Sequence, residues 1–227
     1  VGGRDVPRTL FQGLRRLEYR GYDSAGIAVF DGERIDLLKR KGNLDTLAPH
    51  LGWFRGDSEM GIAHTRWATH GQPSMENAHP HLDCSGEIAV AHNGIIENFR
   101  ELRDELEARG HRFRSQTDSE IVAHLVEEYY QGDLLEATRR ALEDMEGAYA
   151  LVLMSSREPG VLVGARKDSP LVMGIGKDEN FLVSATPALL DCTREAVALE
   201  NGELARITRR DWAVVDSQGR KVEREPY

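Results

Sequence analysis

The order of helix-like and strand-like segments restricts the fold of this 227-residue chain most strongly. Helical spacing of apolar residues predicts a first helix over residues 6–19. Two strands are expected next, at 25–30 and 34–38, joined by a turn at Asp31 and Gly32. More helices and then more strands follow. This order favours an α+β layered fold with mostly antiparallel sheets over a regular βαβ repeat.

The middle of the chain is predicted to be helical and the second half to consist mainly of strands. Residues 97–109 carry Phe99, Leu102 and Leu106 at helical spacing. The run from Thr117 to Glu120 matches a capping box, which would put Asp118 in the first turn of a helix. A further helix is expected at 134–144. Strands are expected at 148–154, 160–165, 171–175, 180–184, 203–208 and 212–216.

Two short polar runs, at residues 64–71 and 92–98, concentrate the reactive side chains. Each follows an apolar stretch, at 60–63 and at 87–91. We therefore expect two strand ends that open into polar loops, where rigid scaffolds usually present functional groups. Five of the eight histidines lie between residues 64 and 98.

Charge and cysteine content exclude several classes of protein. The formal net charge of -9 disfavours a nucleic-acid or membrane-surface partner, since such proteins present a basic face. A bilayer-spanning segment needs about 20 apolar residues, and the chain has no such stretch and no secretory signal pattern. The two cysteines, Cys84 and Cys192, are too few for a disulfide framework. We therefore expect a cytoplasmic protein with reduced thiols.

Two features of the polar runs each allow two interpretations. Arg66 offers a planar fork of donors suited to a carboxylate or phosphate, but an arginine at a strand end also forms structural ion pairs. Asn93 and Gly94 have the composition of a tight hairpin turn. They also offer a side-chain amide and a backbone N–H that can point at one developing oxyanion.

Asp118 and the clustered histidines are equally ambiguous. Asp118 is either a ligand-binding charge or a helix-terminal charge that favours the helix dipole. His79, Pro80 and His81 raise the possibility of a metal ligand pair. No companion set of carboxylates stands at fixed spacing, so we expect no metal.

Five ordered motifs resolve these alternatives, because together they resemble one family. The resemblance, which runs from about Arg4 to the C-terminus, is to class II glutamine amidotransferases, specifically the glutaminase domain of glucosamine-6-phosphate synthases. The motifs are Leu-Glu-Tyr-Arg-Gly-Tyr-Asp-Ser-Ala-Gly at 17–26, Ala-His-Thr-Arg-Trp-Ala-Thr-His-Gly at 63–71, Asn-Ala-His-Pro-His at 77–81, His-Asn-Gly-Ile-Ile-Glu-Asn at 92–98 and Thr-Asp-Ser-Glu at 117–120.

The resemblance implies an N-terminal nucleophile hydrolase fold, a four-layer αββα sandwich with two mostly antiparallel sheets. It implies that glutamine is cleaved to glutamate and that the ammonia passes to a sugar isomerase domain, where fructose 6-phosphate becomes glucosamine 6-phosphate. Residues 1–227 would be a single glutaminase domain without that second domain. No cofactor is implied, and the full-length enzyme is expected to be a homo-oligomer.

The resemblance also implies roles for individual residues. Arg66 would bind the α-carboxylate of glutamine and Asp118 its α-ammonium. Asn93 and Gly94 would form the oxyanion hole. The remaining assignments are a glutamine-pocket loop containing Trp67, Thr69, His70 and Gly71, and a segment supporting the nucleophile that includes Arg20 and Asp23.

The nucleophile itself is the main departure from the family. In these enzymes an N-terminal cysteine attacks the amide and its own α-amino group acts as base. The present sequence begins with Val1, and its resemblance starts about seven residues into the family's sequence. The family residues that this sequence does not contain would form a strand leading into the first helix. Two alternatives therefore stay open, a non-catalytic glutamine-binding module and a histidine-metal hydrolase.

Overall fold

A computed structural model describes residues 1–3, 5–54 and 58–227. The helices are α1 (Val6–Leu17), α2 (Phe99–Ala108), α3 (Glu120–Tyr129) and α4 (Leu134–Asp144). The strands are β1 (Ser24–Phe30), β2 (Ile35–Lys41), β3 (Met60–Arg66), β4 (His81–Leu82), β5 (Ile88–Ile96), β6 (Gly147–Ser155), β7 (Leu162–Lys167), β8 (Val172–Gly176), β9 (Glu179–Val183), β10 (Glu195–Ala198), β11 (Leu204–Ile207), β12 (Trp212–Val215) and β13 (Lys221–Val222). Short 3₁₀ segments occur at Glu18–Arg20, Leu44–Thr46, Ala48–Trp53 and Thr186–Leu189.

Local signals place the helix boundaries close to their predicted positions. Asp5 caps α1 by accepting a hydrogen bond from the backbone N–H of Arg8, at 3.2 Å. Asp133 caps α4 in the same way, at 2.9 Å from the backbone nitrogen of Glu136. The α4 prediction is confirmed residue for residue. The first helix ends two residues earlier than expected, because the chain tightens into the 3₁₀ segment that ends at Arg20.

The strands form one large sheet and two small ones, and every pair of paired strands is antiparallel. The large sheet has the order β13-β12-β11-β7-β6-β5-β4. The small sheets have the orders β2-β1-β3 and β10-β8-β9. The predicted second sheet is thus present as two three-stranded sheets.

Three apolar clusters define four layers. One face of the large sheet packs against α2, α3 and α4 through a cluster centred on residues such as Leu106, Ile121 and Leu151. Its other face packs against both small sheets, through Met60, Met154 and Met173 among others. The outer face of the β1 sheet is covered by α1. The predicted αββα sandwich is confirmed.

The second polar run is a strand for most of its length, so the prediction of a loop there is wrong, whereas residues 67–71 of the first run lie outside any strand, as predicted. β3 continues through Arg66, and β5 continues to Ile96. Asn93 pairs with Ala150 and Gly94 pairs with Tyr149 on β6. A continuous antiparallel partner therefore extends the strand over a dipeptide that is typical of turns.

The predicted capping box at Thr117 does not form. α3 begins at Glu120, so Asp118 precedes the helix instead of lying in its first turn. The Glu120 carboxylate accepts hydrogen bonds from the backbone nitrogens of Arg114, at 2.8 Å, and Ser115, at 2.7 Å. It is therefore engaged by the preceding loop and not by Thr117.

Strands β4, β10 and β13 were not predicted. Two of them contain only two residues, which is too short for an alternating pattern. Across the described ranges 1–3, 5–54 and 58–227, none of the helices combines the length and the apolar character that a membrane span requires.

Candidate active site

The last residues of β3 and β5 meet between the sheet layers. His64 Nε2 lies 2.9 Å from Asn93 Oδ1. Burial lowers the pKa of His64 to about 4, so the ring is neutral and Nε2–H donates to the amide oxygen. The Asn93 amide nitrogen is then left to donate elsewhere. The hydrogen bond therefore sets the orientation in which Asn93 presents its NH₂ group.

Gly94 occupies a position that only glycine fits. Its φ is +132°, and a Cβ atom built there would lie 2.0 Å from the carbonyl oxygen of Ala148. Gly94 is exposed, and its backbone lies directly beside Asn93 on β5. A side-chain amide and an unshielded peptide group therefore adjoin at this end of the strand, as an oxyanion hole requires.

Arg66 is buried, with 4% of its surface exposed, and only part of its guanidinium is hydrogen-bonded. Nη2 donates to the main-chain oxygens of His70 and Gly71. Nη1 lies 4.0 Å from Asp23 Oδ1 and has no hydrogen-bond partner among the described residues. Burial lowers the pKa of Arg66, but an arginine stays charged. The buried, charged guanidinium of Arg66 thus has its Nη1 group available to bind an anion.

Asp23 supports the loop that follows Arg66. Its Oδ2 accepts a hydrogen bond from the backbone nitrogen of Ala68, and its Oδ1 accepts one from the Ser24 hydroxyl at 2.7 Å. The carboxylate is therefore already engaged. The contact with Arg66 is at the outer limit of an ion pair.

Asp118 is held at the end of β5 and is 3% exposed. Its Oδ2 accepts from the backbone nitrogen of Ile96, at 2.9 Å. Its Oδ1 lies 3.9 Å from Nδ1 of His70. The carbonyl oxygen of His70 accepts a hydrogen bond from Arg66. Asp118 also acts electrostatically on Arg66. His70 thus joins a buried cation and a buried anion that are 52 positions apart in the sequence.

The remaining loop residues divide between the interior and the surface. The His70 ring packs against Phe99, with centroids 5.1 Å apart. Thr69 is exposed, and Trp67 is 62% exposed with its ring edge-on to Tyr22 at 5.5 Å. Trp67 and Thr69 therefore lie on the outer surface of the loop.

A cavity of about 380 Å³ lies between β3, β5 and β9. Of the predicted site residues, its lining includes Arg20, Asn93 and Gly94 but not Arg66 or Asp118. The structure therefore brings the predicted residues together in two adjoining groups. His64, which the sequence analysis did not assign, also lines the cavity.

The histidines suspected of metal binding pack in a row, with His64 stacked on His79 and His81 edge-on to His79. The rings of His64 and His79 are 4.4 Å apart, and those of His79 and His81 are 4.6 Å apart. His81 Nε2 lies 3.0 Å from the Thr117 hydroxyl. Burial holds the pKa of His79 and His81 well below the ordinary value, so both rings are neutral. These contacts assign the two histidines a packing role.

Asn77 is a supporting residue that the sequence analysis missed. Its Nδ2 donates to the carbonyl of Gln72 at 2.8 Å, and its Oδ1 accepts from the backbone nitrogen of Gln116 at 2.9 Å. It joins the loop after Arg66 to the loop before Asp118. Its position at the start of the Asn-Ala-His-Pro-His motif, at 77–81, is the sequence signal for this role.

Known proteins resemble the chain at several levels. Residues 64–191 match the profile of a family described as the glutamine amidotransferase domain, which is more than half of the chain. The glutamine–fructose-6-phosphate aminotransferase (isomerizing) of Thermus thermophilus is 53% identical over 225 residues, covering 99% of this chain and 37% of that protein. The enzyme of the same name from Methanothermobacter thermautotrophicus is 52% identical over 220 residues, covering 96% of this chain and 37% of that protein.

Solved structures agree with these sequence matches. The glutamine phosphoribosylpyrophosphate amidotransferase from B. subtilis, complexed with ADP and GMP, superposes with a TM-score of 0.78 at 27% identity, covering 93% of this chain and 46% of that chain. An allosteric regulatory enzyme of purine biosynthesis superposes with a TM-score of 0.81 at 28% identity, covering 95% and 47%. The present chain spans 37% of the length of the curated relatives named above. It belongs to the glutamine amidotransferase domain family.

Proposed function

We propose that this chain, together with an N-terminal cysteine ahead of Val1, hydrolyses L-glutamine to glutamate and ammonia as the glutaminase domain of a glucosamine-6-phosphate synthase. The observation that carries the proposal is the buried guanidinium of Arg66, whose Nη1 has no hydrogen-bond partner among the described residues. It lies in one polar cluster with Asp118. A free amino acid carries one carboxylate and one ammonium, which are the groups that this pair complements.

Arg66 binds the α-carboxylate of glutamine through Nη1. Asp118 binds the α-ammonium through Oδ1, since its Oδ2 already accepts from Ile96. His70 and Gly71 hold the guanidinium in place through their main-chain oxygens. Trp67 and Thr69 close the outer side of the pocket.

Asn93 and Gly94 stabilise the oxyanion that forms when the side-chain amide of glutamine is attacked. His64 holds the Asn93 oxygen, so the Asn93 nitrogen donates to the oxyanion together with the Gly94 backbone N–H. Donors fixed in advance at a developing negative charge lower the barrier more than donors that must reorient. The loss of one such donor costs about 100-fold to 1,000-fold in rate.

The nucleophile in this proposal is a cysteine thiol carried by a segment ahead of Val1. Gly2 forms a bridge with Glu179, at the start of β9, and donates to the carbonyl of Glu59 beside β3. Val1 and Gly2 thus lie between the free edges of β3 and β9, and the cavity continues along β3 from Gly61 to Thr65. An extended segment running back along this path would reach the His64 and Asn93 pair after about five or six residues, because paired strands advance together by about 3.3 Å per residue.

Arg20 also lines this cavity and supports the cysteine in the proposal. The base is the α-amino group of that cysteine, as in other enzymes with an N-terminal nucleophile.

A second domain consumes the ammonia. The curated relatives are named as enzymes that act on fructose 6-phosphate and are far longer than this chain. Tyr19, Tyr22 and Trp67, which are 60% to 71% exposed, support a covering partner domain beside the site. A homo-oligomeric enzyme in the cytoplasm completes the proposal. Cys84 and Cys192 are not joined in a disulfide, which is compatible with a reducing compartment.

Labelling of the full-length protein with an electrophilic glutamine analogue tests the proposal. We expect one adduct, on an N-terminal cysteine, and loss of glutaminase activity in step with labelling. L-glutamine should protect against the adduct and D-glutamine should not. Labelling of Cys84 or Cys192 instead, or activity that survives full labelling, would refute it. Unlabelled protein that binds glutamine without hydrolysing it would indicate the non-catalytic module.

A further inference from the structure

A second cluster of reactive side chains lies on the helix side of the large sheet. Cys84 is in the turn between β4 and β5, His111 follows α2, and His124 and Glu127 lie one turn apart on α3. One ligand-type atom from each residue lies within 4.8 Å of the others. The side chains of His111 and His124 are 8% and 1% exposed. The proposed glutaminase reaction uses none of the four.

The distances within this cluster match those between the ligands of a tetrahedral zinc ion. Cys84 Sγ lies 3.5 Å from Nδ1 of His111 and 3.5 Å from Nδ1 of His124. The two Nδ1 atoms are 3.3 Å apart. Glu127 Oε2 lies 3.1 Å from Nδ1 of His111 and 3.4 Å from Nδ1 of His124. Zinc bonds of about 2.0–2.1 Å to nitrogen and oxygen and about 2.3 Å to sulfur place tetrahedral ligands about 3.3–3.6 Å apart.

The outer ring nitrogens of the two histidines lie near carboxylates. His111 Nε2 lies 2.8 Å from the Glu128 carboxylate, which requires a proton on Nε2. His124 Nε2 lies 3.7 Å from the Glu120 carboxylate. The two Nδ1 atoms, 3.3 Å apart, face the same point as Cys84 Sγ. A metal cation at that point would be bound through the nitrogen lone pairs.

The surroundings also fit a metal centre. Metal-bound histidines usually direct their second nitrogen at a carboxylate, as His111 does toward Glu128. The backbone nitrogen of Arg112 lies 3.4 Å from Cys84 Sγ and that of Cys84 lies 3.1 Å from Glu127 Oε2, so both anionic ligands are supported. A thiolate and a carboxylate together carry a charge of -2, which a divalent ion neutralises.

We propose that Cys84, His111, His124 and Glu127 form a structural zinc site. Four protein ligands fill a tetrahedral shell and leave no open position for substrate, which is the pattern of structural and not catalytic zinc. The ion would join the β4–β5 turn, the α2–α3 connection and α3. That connection leads into Asp118, so the zinc would stabilise the segment that carries it.

Zinc binding to the purified full-length protein tests this site. The protein is stripped with a chelator under reducing conditions and titrated with Zn²⁺ against a chromophoric competitor. We expect one high-affinity Zn²⁺ per chain, and its binding should depend on Cys84. At a free Zn²⁺ concentration 100 times the Kd, the Tm of the unfolding transition of this domain within the full-length protein should rise by about 5–10 °C. Cobalt in place of zinc should show thiolate charge-transfer absorption.

Matched variants separate the site from adventitious binding. Cys84→Ser and His111→Gln should each weaken Zn²⁺ binding about 100-fold or more and abolish the rise in Tm, whereas Cys192→Ser should behave as the wild type. Because Cys84 is exposed and serine is nearly isosteric with it, the metal-free variant should fold, and its Tm without metal checks this. The proposal is refuted if the wild type binds no Zn²⁺ stoichiometrically, or if Cys84→Ser binds it equally tightly. These readouts do not depend on glutaminase activity.

Discussion

His64 Nε2, on β3, lies 2.9 Å from the amide oxygen of Asn93, on β5. This bond joins the two sheet layers at the site and orients the proposed oxyanion donor. Asn93→Ala should therefore lower kcat for glutamine hydrolysis about 100-fold to 1,000-fold with little change in KM. Asn201→Ala, on the surface, is the matched control. Steady-state kinetics of the two variants check this, and equal activity in both would count against the oxyanion assignment.

Replacement of His64 tests its positioning role. His64→Leu removes one hydrogen bond worth about 1 kcal/mol, so kcat should fall about fivefold while KM is unchanged. His64→Gln keeps an N–H donor and should restore part of the rate. A change in KM alone, or a kcat in His64→Gln no higher than in His64→Leu, would show that His64 does not act through Asn93.

Gly94→Ala should destabilise the fold by about 3 kcal/mol or more, because it adds a steric overlap to an unfavourable φ. Gly110 provides the control, since its φ is +100° but a Cβ there meets nothing within 4 Å. Gly110→Ala should cost about 1 kcal/mol. Urea denaturation measures the free energy of unfolding of both variants. Equal losses of stability would mean that the overlap with the Ala148 carbonyl oxygen adds nothing to the cost.

Arg66→Lys should raise KM for glutamine about 10-fold to 100-fold, since an ammonium cannot replace the planar fork at a buried carboxylate. The free energy of unfolding should change much less, because Asp23 is already bonded to Ser24 and Ala68. Kinetics and thermal unfolding of this variant are compared with those of Arg220→Lys, an exposed control. Parallel losses of affinity and stability would favour a structural ion pair with Asp23.

The buried histidines predict a loss of stability in mild acid. The pKa values of His64, His79, His81 and His92 are all lowered in the folded chain, that of His64 to about 4. Below the unfolded value of about 6.5, the unfolded chain therefore binds protons that the folded chain does not.

The free energy of unfolding should fall by about 1.4 kcal/mol per pH unit for each such histidine as the pH drops below about 6.5. For His64 this slope ends near pH 4. His81→Gln should remove about one histidine's share of the slope. Urea titrations between pH 4 and 8 measure the slope, and an unchanged slope in His81→Gln would contradict the account.

Sequence patterns were most informative where local chemistry decides the structure. Asp133 caps α4, and the turn at Asp31 joins β1 to β2, because caps and turns depend on nearby residues. Asn93 and Gly94 were predicted to leave a strand because the prediction could not include β6, which pairs with them across more than 50 intervening residues. Glu120 matched a capping box but binds the backbone of Ser115, a competition that local spacing does not reveal.

The candidate site was predictable only from the combined motifs. Neither Arg66 nor Asp118 is distinctive alone, and their proximity depends on the ends of β3 and β5 meeting. The same limit applies to Cys84 and His111, which are 27 residues apart and match no short ligand motif. Long-range packing, which spacing along the chain does not encode, brings both groups together.

Recognition of the α-amino group of glutamine by Asp118 is the central claim, and a thermodynamic cycle tests it most directly. The dissociation constants of L-glutamine and of glutaramate, which lacks only the α-amino group, are measured by calorimetry in full-length protein whose N-terminal cysteine is replaced by alanine, with and without Asp118→Asn. The account predicts that Asp118→Asn weakens glutamine binding at least 10-fold and leaves glutaramate binding unchanged. Equal losses for both ligands, or no loss for glutamine, would contradict it.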